Sequence, residues 1–284
     1  VWIFGCTIYL AMMAEGFLGY VLPYGQMSYW GAQVIISLFG AIPYVGESLE
    51  LWVRGDYYIS GITVSRFFAL HVVALPLILI ALVFLHLVAL HEVGAGNPEG
   101  VDIEEHLDED GVPLDSVPFY PYKVLNGLVA IGVFMTVFAI IMFFFPEGGG
   151  YFIEMANFQE ANPLVTPDHI APVWYYAPFY TMLRAIPDPL GGLIVMAAAV
   201  AIFFIVPWLD RSKVASIRYK GIYSKIAITL FGVSFLTLGY LGTVGVTEIR
   251  KIMSIICTII YFAYFLLMPI YTKYEKTKEV PTRL

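Results

Sequence analysis

The sequence predicts an all-α integral membrane protein, and three observations lead to this fold class. Of the 284 residues, 60% are hydrophobic and 13% are charged, and the mean hydropathy is +0.79. Soluble domains contain about 25% charged and about 45–50% apolar residues. The apolar residues are also gathered in six long stretches, and a membrane-spanning helix needs about 20 such residues. We therefore expect six transmembrane helices, with amphipathic surface helices in the loops between them.

The same composition excludes several other classes of protein. The chain has 15 basic and 22 acidic residues and two cysteines. This balance is not that of a nucleic-acid-binding protein, a disordered chain or a small disulfide-stabilised domain. Cys6 and Cys257 lie inside apolar stretches, so we interpret them as small packing residues.

The six predicted spans follow one another along the whole chain. They cover residues 1–22, 67–90, 124–145, 190–209, 226–241 and 252–271. The fifth span is short and rich in glycine. Residues 26–53, after the first span, are amphipathic and interrupted at Pro43, which predicts short surface helices. The first span begins at Val1 without a polar flank or a leader, which favours a chain that continues upstream.

Lysine and arginine are unequally divided between the two sides of these spans. With alternating spans, ten lie on the side of residues 92–122, residues 210–225 and the C-terminus, and five lie on the other side. Positively charged loops stay in the cytoplasm, so the richer side is predicted to be cytoplasmic. Residues 92–122 are themselves acidic, but acidic residues contribute little to topology. We interpret them as a solvated surface loop.

The second span carries two histidines at membrane depth. His71 and His86 are 15 residues apart, which is about 22 Å along an ideal helix and about 60° around it. Pro76 lies between them and can bend the helix. An ionisable residue inside a bilayer indicates function by default. The spacing alone leaves two interpretations: ligands of two stacked haems, or unrelated core histidines bonded to neighbouring helices.

Other residues at membrane depth also have two interpretations. Gly5 and Gly19 are 14 residues apart and permit close approach of a flat macrocycle or of another helix. Glu15 is either a proton relay or a paired structural acid. His91 lies at the predicted cytoplasmic boundary, where it either exchanges protons with water or lies among the lipid headgroups.

Longer motifs resemble the cytochrome b subunit of bacterial cytochrome bc1 complexes (ubiquinol–cytochrome c reductases). The matching segments are GYVLPYGQMSYWGAQVI (19–35), AIPYVGESL (41–49), RFFALH…HLVALHE (66–92), PFYPY (118–122), ANPLVTPDHIAPVWYYAPFYTMLRAIPDPLGG (161–192) and the closing helices. The resemblance covers the whole chain but begins at the family's third helix. It implies four parts: residues 1–91 with the quinol-site loop and the haem-ligand helix, the acidic loop 92–122, the fifth family helix and PVWY loop at 123–186, and a three-helix membrane part at 187–284.

The resemblance implies two b-type haems that transfer electrons. His71 would be an axial ligand of the low-potential haem iron near the periplasm, and His86 of the high-potential haem iron near the cytoplasm. The second ligand of each haem would come from the family's first two helices. The residues implied in haem binding are His71, His86, Gly5, Gly19 and Arg66.

The resemblance also implies quinol oxidation near the periplasm and quinone reduction near the cytoplasm, coupled to proton translocation. The residues expected to contact ubiquinol or ubiquinone are Phe17, Met27, Gly31, Tyr44, Pro172, Tyr175, Phe179 and, on the cytoplasmic side, His91. The family's Lys-Asp pair aligns with Asn126-Gly127, and Lys123 lies one turn earlier. Among cytoplasmic-site residues, the assignment therefore stops at His91.

One departure concerns proton transfer. The family's Pro-Glu-Trp-Tyr motif is PVWY at residues 172–175, so the usual carboxylate is missing. A proton leaving quinol in an apolar pocket still needs an acceptor within reach. Glu154, Glu160 and Glu15 are the candidates, and we favour Glu154; His169 is another carrier or a turn residue. The expected catalytic residues are Tyr175, Glu154 and His169.

The implied partners are a Rieske iron–sulfur protein, cytochrome c1, a second copy of the complex and the lipid bilayer. The implied location is the bacterial inner membrane, with several spans and a cytoplasmic C-terminus. A b6f-like or menaquinol-type cytochrome b is an alternative within the same class. A haem-free transporter or structural membrane subunit is the alternative from another class.

Overall fold

The computed structural model describes residues 1–150 and 152–284, which form a helical membrane protein. Within these residues, six helical segments are long and apolar enough to cross a membrane: Trp2–Val21, Gly61–Val93, Phe119–Phe144, Pro189–Leu209, Ile222–Gly242 and Glu248–Leu266. The predicted fold class and the number of spans are confirmed. The second span begins six residues before the predicted start at 67, and the last ends before the predicted residue 271.

The first span is followed by surface helices. Helix α1 (Trp2–Val21) leads to α2 (Gln26–Ser37), and a 3-10 turn then precedes α3 (Gly46–Arg54). The helices are interrupted around Pro43, as the sequence predicts, because proline lacks the amide donor of a continuing helix. Gly55 ends α3 with a left-handed backbone (φ 79°). The guanidinium of Arg66 packs there and donates to the Trp52 carbonyl at 2.8 Å.

The second span is a composite of two α-helices joined by a π-helical turn. Helix α4 (Gly61–Ala69) begins at a Ser60 capping box, the π turn covers Leu70–Ala74, and α5 (Leu75–Val93) completes the span. His71 lies in the π turn and His86 in α5. The span packs antiparallel against α1.

The remaining helices form the C-terminal part of the protein. They are α6 (Val124–Phe144), α7 (Ala177–Ala185), α8 (Pro189–Ala201), α9 (Val206–Leu209), α10 (Ile222–Gly242), α11 (Glu248–Leu266) and α12 (Met268–Tyr274). Helices α8 and α9 belong to one span, joined by a 3-10 turn. The last span ends at Leu266 because the chain bends at Leu267 before Pro269, and α12 continues as a separate helix.

Two apolar clusters hold these elements together. One joins α7, α8 and α10–α12 through Phe179, Met182, Ala199, Ile202, Leu238, Tyr261, Phe265 and Met268. The other joins α1, α2 and α4 through Leu18, Val21, Tyr29, Ala32, Ile36, Ile59 and Phe67. The hydroxyl of the fully buried Tyr261 donates to the Ala199 carbonyl at 2.7 Å, so the largest buried side chain is satisfied. The candidate site lies between these two clusters.

Three loops gather at the end of the molecule where α5 finishes. Glu99 pairs with Arg218 and accepts a hydrogen bond from Tyr219, and Asp115 pairs with Arg283 at 3.1 Å. These contacts connect residues 92–122, the loop before α10 and the C-terminal tail. The three segments therefore share one side of the membrane, as the alternation of spans predicts.

Candidate functional site

The two histidines of the second span each face a glycine of α1. A β-carbon added to Gly19 would lie 2.5 Å from His71 Cε1, and one added to Gly5 would lie 3.5 Å from His86 Cε1. Only a residue without a side chain leaves the His71 ring where it is. The helix pair α1 and α4–α5 therefore presents two imidazoles over two glycine notches, one near each end of the span.

The polar neighbours of the two imidazoles differ. His71 Nδ1 lies 3.0 Å from the Glu15 carbonyl oxygen and 3.1 Å from Glu15 Oε1. His86 Nδ1 is buried and has no hydrogen-bond partner within the described part of the chain. A buried polar nitrogen without a partner is costly in a protein built from these residues alone. Two half-buried imidazoles above glycine notches fit axial ligation of flat haem groups.

Two other residues expected at cofactor sites lie apart from these notches. Arg66 is exposed, five residues before His71, with its guanidinium held at Gly55 and Trp52. His91 is exposed in the last turn of α5, and its Nδ1 lies 2.8 Å from the Leu87 carbonyl oxygen. His91 is thus at the membrane end of the span opposite to His71.

An apolar cavity of about 470 Å³ lies beside the His71 end of α1. Its walls come from α1, α2, α7 and α8, and the residues before α7. They include Leu10, Met13, Phe17, Val34, Ile35, Leu38, Pro172, Tyr176, Phe179 and Met196. Of the residues expected to contact quinol, Phe17, Pro172 and Phe179 therefore meet in one apolar cavity. Such a space suits a flat or elongated apolar ligand.

A second, more polar cavity of about 540 Å³ lies on the other side of the PVWY segment. It is lined by Gly16, Tyr20, Glu154, His169, Pro172, Val173, Trp174, Tyr175 and Thr243, among others. A narrow space lined by Phe17, Tyr20, Gly31, Pro172 and Val173 adjoins both cavities. The three expected catalytic residues, Tyr175, Glu154 and His169, are thus brought together around the polar cavity.

Glu154 is held at this cavity by its own loop and by α1. The Tyr20 hydroxyl, near the end of α1, donates to Glu154 Oε2 at 3.3 Å. Burial raises the pKa of the Glu154 carboxyl above its usual range, although the Tyr20 hydrogen bond and nearby His169 oppose this shift. A carboxyl with a raised pKa is suited to accept and pass on a proton.

The start of α2 fixes the loop that carries Glu154. Gln26 is buried; its Nε2 donates to the Val165 carbonyl at 2.6 Å, and its Oε1 accepts from the Asn162 amide at 2.7 Å. The Ser28 amide donates to Asn157 Oδ1 at 2.8 Å. These bonds connect residues 157–165 to α2, so the acid and the cavity wall are positioned by one polar cluster.

The other candidate residues have different surroundings. Glu160 is exposed and Glu15 lies against His71, so neither lines the polar cavity. Met27 is buried in the protein interior, and Tyr44 is fully exposed with a left-handed backbone (φ 69°). The described cavities do not include Met27 or Tyr44 among their lining residues.

Several residues that the sequence analysis missed complete the site. A β-carbon at Gly16 would lie 2.9 Å from the Tyr175 hydroxyl, so this glycine makes room for the tyrosine. Tyr176 donates to the Met13 carbonyl and fixes the PVWY segment against α1. His169 Nε2 lies 3.1 Å from the Thr243 carbonyl oxygen. The repeat of small residues at 16 and 19 was the one signal for Gly16; the other contacts join segments distant in sequence.

Comparison with known proteins gives a consistent result. Residues 1–178 match the family model "Cytochrome b(N-terminal)/b6/petB", and residues 160–262 match "Cytochrome b(C-terminal)/b6/petD". The chain is 53% identical to a cytochrome b of Allochromatium vinosum and 45% identical to one of Rickettsia bellii. All of the chain is covered in both comparisons, with 70% and 68% of those proteins.

A solved structure shows the same arrangement of helices. The fold superposes with a TM-score of 0.86 on a chain of a "Hyperthermophilic respiratory Complex III". The sequences are 33% identical over 96% of this chain and 70% of that chain. The family models, the curated relatives and this structure agree with the motifs described above. This chain therefore belongs to the cytochrome b family, and within it to the cytochromes b of bc1-type respiratory complexes.

Proposed function

We propose that the chain is the dihaem, quinol-oxidising part of a cytochrome bc1 complex. The observation that carries this proposal is the pairing of His71 with Gly19 and of His86 with Gly5 in one helix pair. A quinol-sized apolar cavity adjoins the His71 end of the same α1 helix. Together these features support electron transfer from a quinol toward His71 and then along α5.

The chain's own residues would hold one axial position of each haem. His71 and His86 supply imidazole nitrogens, and Gly19 and Gly5 keep the space beside them free of side chains. Bound haem with imidazole on both faces exchanges electrons and leaves no coordination position for oxygen. Arg66 is one turn and a half from His71 and is proposed to meet the edge of that group after its side chain moves.

Oxidation of a quinol to a quinone releases two electrons and two protons, and the cavity provides separate routes for them. The apolar cavity takes the ring and tail, while Glu154 and His169 offer proton acceptors in the adjoining polar cavity. One electron passes to a Rieske iron–sulfur protein and the other toward His71. His91, at the opposite end of the span, is proposed to bind the quinone that is reduced there.

The proposed setting is the bacterial inner membrane, with the C-terminus in the cytoplasm. Ten of the lysines and arginines lie on the side that carries residues 92–122 and the C-terminal tail, and salt bridges connect these segments. Proton release near Glu154 and uptake near His91 would then occur on opposite sides of the membrane. The proposed partners are the Rieske protein, cytochrome c1 and a second copy of the complex.

The haem proposal is tested by reduced-minus-oxidised spectra of the purified complex. Two b-type haems are expected in the unmodified complex, with one lost in His71→Ala and the other in His86→Ala. His106→Ala, in the exposed acidic loop, is the matched control and should retain both. A complex without b-type haem, or unchanged haem content in both histidine variants, would contradict the proposal.

The choice of quinol is tested in the same preparation. Haem reduction by ubiquinol and by menaquinol is compared under identical conditions, at equal concentrations. Faster and more complete reduction by ubiquinol is expected, whereas a preference for menaquinol would support the alternative cytochrome b class. Spectra without any quinol-reducible haem would favour a haem-free membrane subunit.

A further inference from the structure

The glycine notches and the histidines that face them do not have the same spacing along their helices. Gly5 and Gly19 are 14 residues apart in α1, whereas His71 and His86 are 15 residues apart in the packed span. In an ideal α-helix, 14 residues extend about 21 Å and end about 40° from the starting direction. Fifteen residues extend about 22 Å and end about 100° further around the axis. Two straight helices would therefore align one histidine with its glycine and turn the other aside.

The structure nevertheless aligns both histidines, and the π turn accounts for this. The Leu75 amide donates to the Leu70 carbonyl, five residues earlier, instead of the residue four positions earlier. A π-helical turn encloses one more residue than an α-helical turn. One residue between His71 and His86 is thereby removed from the α-helical count. The flanking helices keep the register that 14 residues would give, which is the spacing of Gly5 and Gly19.

The sequence explains why the extra residue is taken up near His71. Pro76 has no amide hydrogen, so the carbonyl of Val72 has no α-helical donor at that position. The proline ring also crowds the carbonyl four residues before it. A wider turn immediately before Pro76 relieves that crowding where one hydrogen bond is already lost. Val72 and Val73 occupy the turn and are about half exposed, at 50% and 55%, so the turn faces away from α1 at these positions.

We infer that the π turn at Leu70–Ala74 is a register device that sets His71 and His86 over Gly19 and Gly5 at once. It is a positioning element rather than a ligand, and it acts by removing one residue from the helical count between the two imidazoles. Its relation to haem rests on the proposed function. The register of the two helices does not, because it is defined by protein contacts alone.

The inference makes an unusual prediction about chain length. Deleting one of the adjacent valines, Val73, leaves the sequence otherwise unchanged and gives a 14-residue spacing. The π turn then becomes α-helical, and both haems are expected to stay bound at the ratio of the unmodified complex. Inserting one valine beside Val73 gives a 16-residue spacing, which one π turn cannot absorb. Haem content is then expected to fall by half, measured by absorbance per mole of protein.

Controls separate register from helix length. Deleting Val88, which follows His86, shortens the same helix without changing the spacing of the histidines, and both haems are expected to remain. If the Val73 deletion loses a haem while the unmodified complex and the Val88 deletion hold two, the inference is overturned. An unmodified complex without b-type haem would instead refute the proposed function and leave the register to the second test.

A cross-linking measurement reports the register without any cofactor. Cysteines replace Gly5 and His86 in a Cys6→Ser background, in full-length chains that carry or lack Val73. Disulfide formation is expected with and without Val73, and not after insertion of an extra valine. Loss of the cross-link in the Val73 deletion would show that the 15-residue span aligns without the π turn. The inference would then be wrong whether or not haem is bound.

Discussion

At the scale of single residues, the PVWY segment shows how an acid missing from one position is supplied from another. Val173 lies where the family motif has its carboxylate, and it lines both the polar cavity and the narrow space beside it. Glu154 reaches the same polar cavity from a different part of the loop, with Tyr20 as its hydrogen-bond donor. A site defined by proximity can therefore keep a proton acceptor after its motif has lost one.

Replacement of Glu154 by glutamine should slow quinol oxidation. The amide retains a similar shape but accepts no proton, so we expect a loss of about 100-fold, at the lower end of the range for a positioned proton-transfer group. The measurement is the initial rate of haem reduction by quinol. Glu160→Gln, at an exposed position in the same loop, should leave that rate within about twofold, because a single exposed substitution changes little. Equal losses in both variants would argue for a general loop defect.

The raised pKa of Glu154 gives a signed pH dependence. The acceptor is ionised only above this raised pKa, so the rate should increase as pH rises through the region just above the usual glutamate range. Since ionising the half-buried carboxyl is unfavourable, the free energy of unfolding should decrease over the same interval. The rise in rate should be absent in Glu154→Gln. An identical pH profile in that variant would assign the titration to another group, with His169 the next to test.

Gly19 provides a packing prediction at the same scale. In Gly19→Ala the new methyl group lies 2.5 Å from His71 Cε1, so the ring must move, and overpacking costs about 1–3 kcal/mol. We expect a shifted midpoint potential, or partial loss, of one b-type haem in a redox titration, with the other unchanged. Gly132→Ala, where the added methyl meets no atom within 4 Å, is the control. A normal titration of Gly19→Ala would mean that the His71 ring does not stay over this notch when haem is bound.

At the scale of elements, the beginning of α2 organises the quinol-site loop. The loop reaches the cavity only because Gln26 satisfies two of its backbone groups and the Gln26 amide donates to the Gln159 carbonyl at 2.9 Å. Backbone groups of an irregular segment near a bilayer need such partners. The surface helices between the first two spans therefore position the site from outside the membrane-spanning bundle.

Gln26→Ala should loosen that loop. Two buried backbone groups lose their partners, which costs about 1–3 kcal/mol for each unsatisfied group. Faster amide hydrogen exchange is expected over residues 157–165, together with slower quinol oxidation. Gln159→Ala changes an exposed side chain beside the same bonds and should show neither effect. Unchanged exchange in Gln26→Ala would mean that the loop is held by its other contacts.

At the scale of the whole molecule, charges on the connecting segments and contacts between them agree. The positive residues predict one cytoplasmic face, and the pairs Glu99–Arg218 and Asp115–Arg283 bring three of its segments together. Exposed salt bridges contribute little stability individually. Their value here is geometric, because they show that segments from three different parts of the chain lie at one end of the helices.

The orientation of the chain can be tested with single cysteines. Tyr57→Cys lies on the loop before the second span, and Glu109→Cys lies in the acidic loop; both positions are exposed. In spheroplasts, a membrane-impermeant thiol reagent should label Tyr57→Cys at once and Glu109→Cys only after permeabilisation. Cys6 and Cys257 lie within spans, so the unmodified chain provides the background. Reversed labelling would place the C-terminus outside the cytoplasm.

Sequence reasoning located what depends on local pattern. Hydrophobic stretches long enough for a bilayer predicted all six spans, since backbone groups in lipid must be satisfied within the helix. Pro43 correctly interrupted the surface helices, and the histidines and glycines were found as unusual residues at membrane depth. Helix ends were less accurate, as in the last span, where the bend at Leu267 followed from one proline in an apolar run.

The tertiary structure decided what depends on segments that are distant in sequence. It placed Glu154, rather than the exposed Glu160, at the polar cavity, because Tyr20 and the polar cluster at Gln26 hold that loop. It set Glu15 against His71 and left Tyr44 exposed. It also showed that a π turn removes the mismatch between histidine and glycine spacing. Composition and periodicity therefore determine the spans, whereas the packing of one helix on another determines which of their polar residues meet.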